Sequence, residues 1–218
     1  MGKSKYVAIV KKASETWGDD PERLIRELRR MVRAGKRSGD YLLVGAAYCA
    51  LAETCNDTGD LSGILSNALK AVALLKDSGE FELIAKSYTA LGKAYTNQED
   101  DQMALITDEF VYEIVKKHRI KGDLRCTALN NLASSYHVMG DIRKAIRYQC
   151  ECIEMAKKCS EESDTDIALY SLNLAEYYKD NGEPDAAREV LQSMVDWIDT
   201  VPFGSLVCDY YLRYALLS

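Results

Sequence analysis

Few side chains in this sequence have types and spacings suited to chemistry. The two histidines, His118 and His137, are too few and too far apart in sequence to suggest a metal pair. Seven cysteines, at positions 49, 55, 126, 150, 152, 159 and 208, contain no CxxC pair and no Cys/His cluster of zinc type. Cys150 and Cys152 lie two apart, a spacing that sends them to different faces of a helix and so argues against a redox pair. The acidic runs Glu99-Asp100-Asp101 and Glu161-Glu162-Ser163-Asp164 lack the ordered alternation of a calcium loop and read as solvated turns and helix caps. The chain has no P-loop phosphate cradle, no GxGxxG after a strand, no HExxH and no GxSxG. No nucleophile, base or cofactor cradle can be named, so no catalytic residue, metal or cofactor is expected.

The elements that carry these residues follow from composition. The chain has 218 residues, 47% hydrophobic and 28% charged, with a net charge of -6, which places it among globular proteins. No run approaches the roughly 18 apolar residues of a membrane span, and the N-terminal MGKSKYVAIVKK has charges where a signal peptide needs its apolar core. The expectation is a cytoplasmic chain with reduced thiols. Three Pro and 13 Gly leave long uninterrupted segments, which points to helices.

A repeat orders those helices. Tyr48, Leu51-Ala52, Gly59-Asp60 and Ile64 recur as Tyr88, Leu91-Gly92, Tyr95 and Ala104. They return as Leu129, Leu132-Ala133, Tyr136, Gly140-Asp141 and Ala145, and again as Leu174-Ala175, Tyr178, Gly182-Glu183-Pro184 and Ala187. The anchor leucines 51, 91, 132 and 174 are separated by 40, 41 and 42 residues, and Gly18-Asp19 marks a fifth, degenerate unit at the N-terminus. Within a unit, spacings such as Leu129, Leu132, Ala133 and Tyr136 describe one helical face. Gly-Asp then ends one helix and caps the next. Glu99 stands where the second unit should have glycine, and its turn is expected to close through Asn and Asp side chains. Breaks at 35–39, 77–80, 121–123, 160–166 and 201–204 give about eleven helices of roughly 14 to 18 residues.

This pattern of Leu-Gly or Leu-Ala, Tyr, Gly-Asp and a small Ala resembles the tetratricopeptide repeat over Tyr41 to Thr200, most closely in ALNNLASSYHVMGDIRKAIRYQCECIEMA. The period exceeds the family's usual 34 residues and the closing proline is absent, as in long-helix members found in bacterial regulators and motor light chains. The resemblance implies an all-α fold, a right-handed α-solenoid of stacked antiparallel helical hairpins forming one domain, 1–218. Its parts would be a basic N-terminal hairpin 1–39, repeats 40–80, 81–121, 122–163 and 164–204, and a C-terminal helix 205–218. Small residues at 92, 133 and 175 would let Ala104, Ala145 and Ala187 of the partner helix approach.

By the same resemblance, a protein or peptide segment would lie in a concave groove, against first-helix side chains that point away from the packing face. These are Lys86, Thr89 and Lys93, then Thr127, Asn130, Asn131, Ser134 and His137, then Asn173, Glu176 and Lys179. Asn131 and Asn173 are equivalent in successive units, and an Asn amide offers both a donor and an acceptor to an extended backbone. The implied role is a non-catalytic sensory or regulatory module of a bacterial signalling protein, for instance one with a diguanylate cyclase output. A peptide-sensing quorum-type regulator and a structural adaptor are the alternatives.

Two further segments stand out. Residues 1–40 carry 11 Lys+Arg against 6 Asp+Glu, mostly on Arg23, Arg26, Arg29, Arg30, Arg33, Lys36 and Arg37 around an apolar stripe. With no interleaved aromatics and an acidic chain overall, this reads as a solvated capping helix, with neither nucleic acid nor membrane as partner. At the other end Leu206, Tyr210, Tyr211 and Tyr214 line a helix with no partner helix after it. That stripe suggests either a piece of a longer protein or a homodimer surface.

Overall fold

The computed structural model describes residues 5–16, 20–159 and 163–217. Among them are eleven α-helices: α1 Lys5–Thr16, α2 Pro21–Ser38, α3 Tyr41–Thr58, α4 Leu61–Leu75, α5 Phe81–Asn97, α6 Asp101–Lys117, α7 Asp123–Val138, α8 Ile142–Ala156, α9 Asp164–Asp180, α10 Pro184–Gln192 and α11 Gly204–Leu217. Gly18-Asp19 and Glu161-Glu162 lie outside the described residues. The helices form two compact units, Met1–Arg119 and Ile120–Ser218.

The hairpins are closed by one recurring device. In each intra-hairpin turn an amide donates back five residues, Asp60 to Cys55, Asp100 to Tyr95, Asp141 to Tyr136 and Glu183 to Tyr178, at 2.9 to 3.0 Å. The residue before the donor must then be left-handed, at φ 73° for Gly59, 82° for Gly140 and 79° for Gly182. Glu99 adopts the same conformation, at φ 59°, so the second unit keeps the turn without its glycine. Asp60, Asp100 and Asp141 then cap the next helix by accepting from the amides of Gly63, Met103 and Lys144. Accepting these bonds holds the Asp60 carboxyl below its ordinary range, and the bond from Lys144 does the same for Asp141. Ser163 and Asp166 form a reciprocal capping box at α9, so this end of the acidic run is a helix cap.

In the first unit α3 packs on α4, α4 on α5 and α5 on α6, while α1 and α2 both lie on α3. Val7 and Val10 of α1 share a core with Ala46, Cys49 and Leu83, and Leu28 and Val32 of α2 share one with Val44, Ala47 and Leu51. α1 and α2 barely touch, unlike the paired helices of the other hairpins. In the second unit α7 pairs with α8, α8 packs on α9 and α9 pairs with α10. All four anchor leucines are buried, as are Ala104, Ala133, Ala145, Ala175 and Ala187. The tight approach at Gly92 has a particular neighbour: a Cβ there would lie 2.8 Å from the Asp108 carboxylate on α6.

Two helices are shorter than the periodicity suggests, α1 at 12 residues and α10 at 9. After Gln192 the amides of Met194, Val195 and Trp197 reach back three residues instead of four, and a 3-10 turn follows at Ile198–Thr200. Hydroxyls of Ser193 and Thr200 bond the carbonyls of Val190 and Trp197, a competition that favours tightening over a regular helix. Met194 and Ile198 remain fully buried, so the apolar pattern persists after the helix ends.

Candidate functional site

In the first unit, α5 carries Lys86, Thr89 and Lys93. Thr89 is buried, and its hydroxyl donates to the Ala85 carbonyl at 3.0 Å, which corrects its expected place among ligand contacts. Lys86 and Lys93 are half-buried and stand close enough to α3 to act on Cys49, whose thiol burial nonetheless pushes well above its ordinary range. His118 caps the C-terminus of α6, with its ring stacked on Phe81 at 3.4 Å between centroids.

The second unit brings most of the expected residues together, but to a different end. Asn130 on α7 accepts through Oδ1 from Gln149 Nε2 of α8 and from Asn173 Nδ2 of α9, both at 3.1 Å. Gln149 also donates to the Tyr170 carbonyl at 2.9 Å. The side chains expected to clamp a ligand therefore bind three helices to one another. Asn131 and Asn173, equivalent by sequence, differ in place: Asn173 spends its amide donor on Asn130, whereas Asn131 is half-exposed and makes no side-chain bond to the described residues.

Beside this network lies a row of ion pairs and hydroxyls. Ser134 bonds the Tyr177 phenol, which burial pushes up to about 12 and so keeps neutral. His137 Nε2 is 2.9 Å from Asp180 Oδ2, with its ring tilted against Tyr177 at 4.5 Å between centroids. Lys179 Nζ lies 3.9 Å from Asp180. Glu176 accepts from Arg213 of α11 at 3.1 Å, and Arg213 also pairs with Asp209 at 3.0 Å. Thr127 is half-buried at the start of the row. Glu176, Lys179 and Arg213, with Ala175 and Leu216, line a small cleft between α9 and α11.

The repeat pattern gives no role to Gln149, Asp180 or Arg213. Gln149 had a signal: it interrupts the inward stripe Ala145, Cys152, Ile153 and Ala156 of α8 with an amide, and a polar residue in a buried stripe needs partners.

The tyrosine stripe of α11 is corrected by the structure. Tyr210 is fully buried among Leu191, Met194, Ile198 and Val201, and Leu206 and Tyr214 pack against that core. Of the four residues only Tyr211 is exposed, its hydroxyl donating to Asp199 at 3.0 Å.

All seven cysteines are free, and no group of three His, Cys, Asp or Glu among the described residues could hold a metal ion. Cys49, Cys55, Cys126 and Cys152 are buried, Cys150 and Cys159 half-buried and Cys208 exposed. A thiol-exchange titration of the native chain should therefore modify Cys208 first, Cys150 and Cys159 more slowly, and the other four only on denaturation. Burial pushes the Cys150 thiol up, so its rate should stay low at neutral pH. Rapid loss of four or more thiols from the native chain would contradict the packing.

Residues 123–196 match the sequence model of the tetratricopeptide repeat family. No curated protein sequence matches the chain. Among solved structures it is similar to BtubC (BKLC) from P. vanneervenii, at a TM-score of 0.76 and 20% identity over 91% of this chain and 83% of that one. A kinesin light chain with nearly identical TPR-like repeats from Podosopora anserina gives 0.65 and 19% over 88% and 93%. A signal transduction ATPase with numerous domains, carrying a tetratricopeptide repeat sensor, from Pyrococcus horikoshii gives 0.75 and 14% over 98% of this chain and 33% of that one. The chain is an α-solenoid of tetratricopeptide-like hairpins, and its segment 123–196 carries the family's sequence pattern. No described helix is long and apolar enough to cross a membrane.

Proposed function

We propose that the chain is a non-catalytic module that takes a protein or peptide segment along α7 and α9 and serves as the sensory or regulatory part of a cytoplasmic signalling system. The observation that carries this reading is the half-exposed row Asn131, Ser134, His137, Asn173 and Glu176, extended by exposed Lys179, on helices that the Asn130, Gln149 and Asn173 bonds tie together. A row of mixed donors and acceptors on helices bonded to one another suits an extended backbone, because the helices are joined before the ligand arrives. The likeness to a protein with a tetratricopeptide repeat sensor supports the sensory part. The output would be a separate activity, for which a diguanylate cyclase remains the form implied by the family resemblance.

The test uses a phage-displayed library of 12-residue peptides selected on the wild-type chain. Clones recovered should bind at least about tenfold more weakly to a variant with Asn131→Ala and Lys179→Ala, two positions outside the packing network, with helical circular dichroism unchanged. Undiminished binding by that variant would reject this face as the site.

A further inference from the structure

We propose that the C-terminal half of the basic helix α2 is a docking surface for a short acidic polypeptide segment. Leu28, Val32 and Gly35 are buried against α3 and fix the helix, so its outer face is a rigid display. In its first half, Arg23 and Arg26 are neutralised by Glu27 and Glu22 at 3.1 and 3.4 Å. Beyond them come Arg29, Arg30, Arg33, Lys36 and Arg37, all exposed, with no ion pair to a described residue. Arg30, Arg33 and Arg37 follow at i, i+3 and i+7, one line along the helix. Lys36 and Lys70 of α4 approach the Tyr48 ring of α3 at 5.7 and 5.5 Å, which carries the positive surface across α3 to α4.

The helix's negative C-terminal end accounts for cations in the last turn, Lys36 and Arg37, and Arg29 stands near enough to the Asp60 carboxylate to act on it, but neither accounts for Arg30 and Arg33. Four of the five are Arg, whose planar fork matches a carboxylate with two parallel bonds. From Arg29 to Arg37 the helix rises about 12 Å, the reach of about four residues of extended chain.

Three kinds of anion have the charge, and two suit the surface poorly. Residues 41–218 carry 17 Lys+Arg against 28 Asp+Glu, so a long polyanion such as duplex DNA meets net repulsion beyond the patch. A short segment feels only the local field, which decays over about 8 Å at physiological salt. An anionic bilayer is disfavoured also because the apolar stripe of α2 is already engaged, with Leu28 and Val32 buried and Leu24, Ile25 and Met31 packed against the same core.

The experiment measures fluorescence anisotropy of a labelled octaglutamate peptide with the full chain. Binding should weaken with salt and drop about tenfold or more in Arg30→Glu/Arg33→Glu/Arg37→Glu, with Arg30→Ala/Arg33→Ala/Arg37→Ala intermediate. Lys157→Glu/Lys158→Glu, exposed at the end of α8, should bind as wild type. Equal loss in that control pair, or no loss in either α2 variant, would overturn the proposal. So would tighter, α2-dependent binding of a mixed-sequence DNA duplex or of vesicles with 30% phosphatidylserine.

Discussion

Tyr210→Ala is expected to release α11 from the second unit at a cost of about 3–5 kcal/mol, the range for deleting a buried aromatic ring. The ring fills a core bounded by Leu191, Met194, Ile198 and Val201, with Tyr211 at 5.0 Å and Tyr214 at 5.8 Å between centroids. Its hydroxyl is buried without a hydrogen-bond partner, so Tyr210→Phe should be neutral or stabilising. Tyr211→Glu, one residue on, replaces an exposed ring and should leave the unit folded. Hydrogen exchange followed by mass spectrometry gives the readout. In Tyr210→Ala, peptides from α11 and from 194–201 lose protection while those from α3 to α6 do not, since the ring packs only against residues of the second unit. Unchanged exchange in α11 would mean that the ring does not hold it.

Asn130→Ala should cost about 1–3 kcal/mol, more than its half-exposed position suggests, because it strips the acceptor from two donors. Gln149 keeps the Tyr170 carbonyl, but its second N–H and the Asn173 amide lose their partner inside the α7, α8 and α9 packing. Gln149→Leu is the instructive contrast. Gln149 is fully buried, yet its Oε1 has no partner, and an apolar side chain of similar volume removes that orphan while Asn173 still bonds Asn130. The loss from Gln149→Leu should therefore be smaller than from Asn130→Ala, and the double variant should lose less than the sum. Urea denaturation monitored by circular dichroism measures all three. A loss below about 0.5 kcal/mol in Asn130→Ala, the size of an ordinary surface change, would show the network to be incidental.

The repeat's leucines and small residues were legible because they recur in one sequence at a fixed period, and all of them are buried where the pattern puts them. The Gly-Asp turns were legible too, since capping and left-handed closure act within six residues. Glu99 shows that even the missing glycine changed the residue and not the geometry. The ligand face was only partly legible. Thr89 faces inward and bonds its own helix, and Asn173 bonds Asn130, although it holds the same repeat position as Asn131.

What the sequence determined, then, is the helical hairpin: where each helix begins, which stripe is apolar and how the chain reverses, all fixed by interactions between residues a few positions apart. The tertiary structure decided which polar side chains remain for a partner, that α10 gives way to tighter turns after Gln192, and that Tyr210 is core while Tyr211 is surface. The reason is physical. Periodicity reports the direction of a side chain about its own helix, whereas satisfaction of an amide or burial of a ring depends on a second helix tens of residues away, such as Gln149 and Asn173 around Asn130.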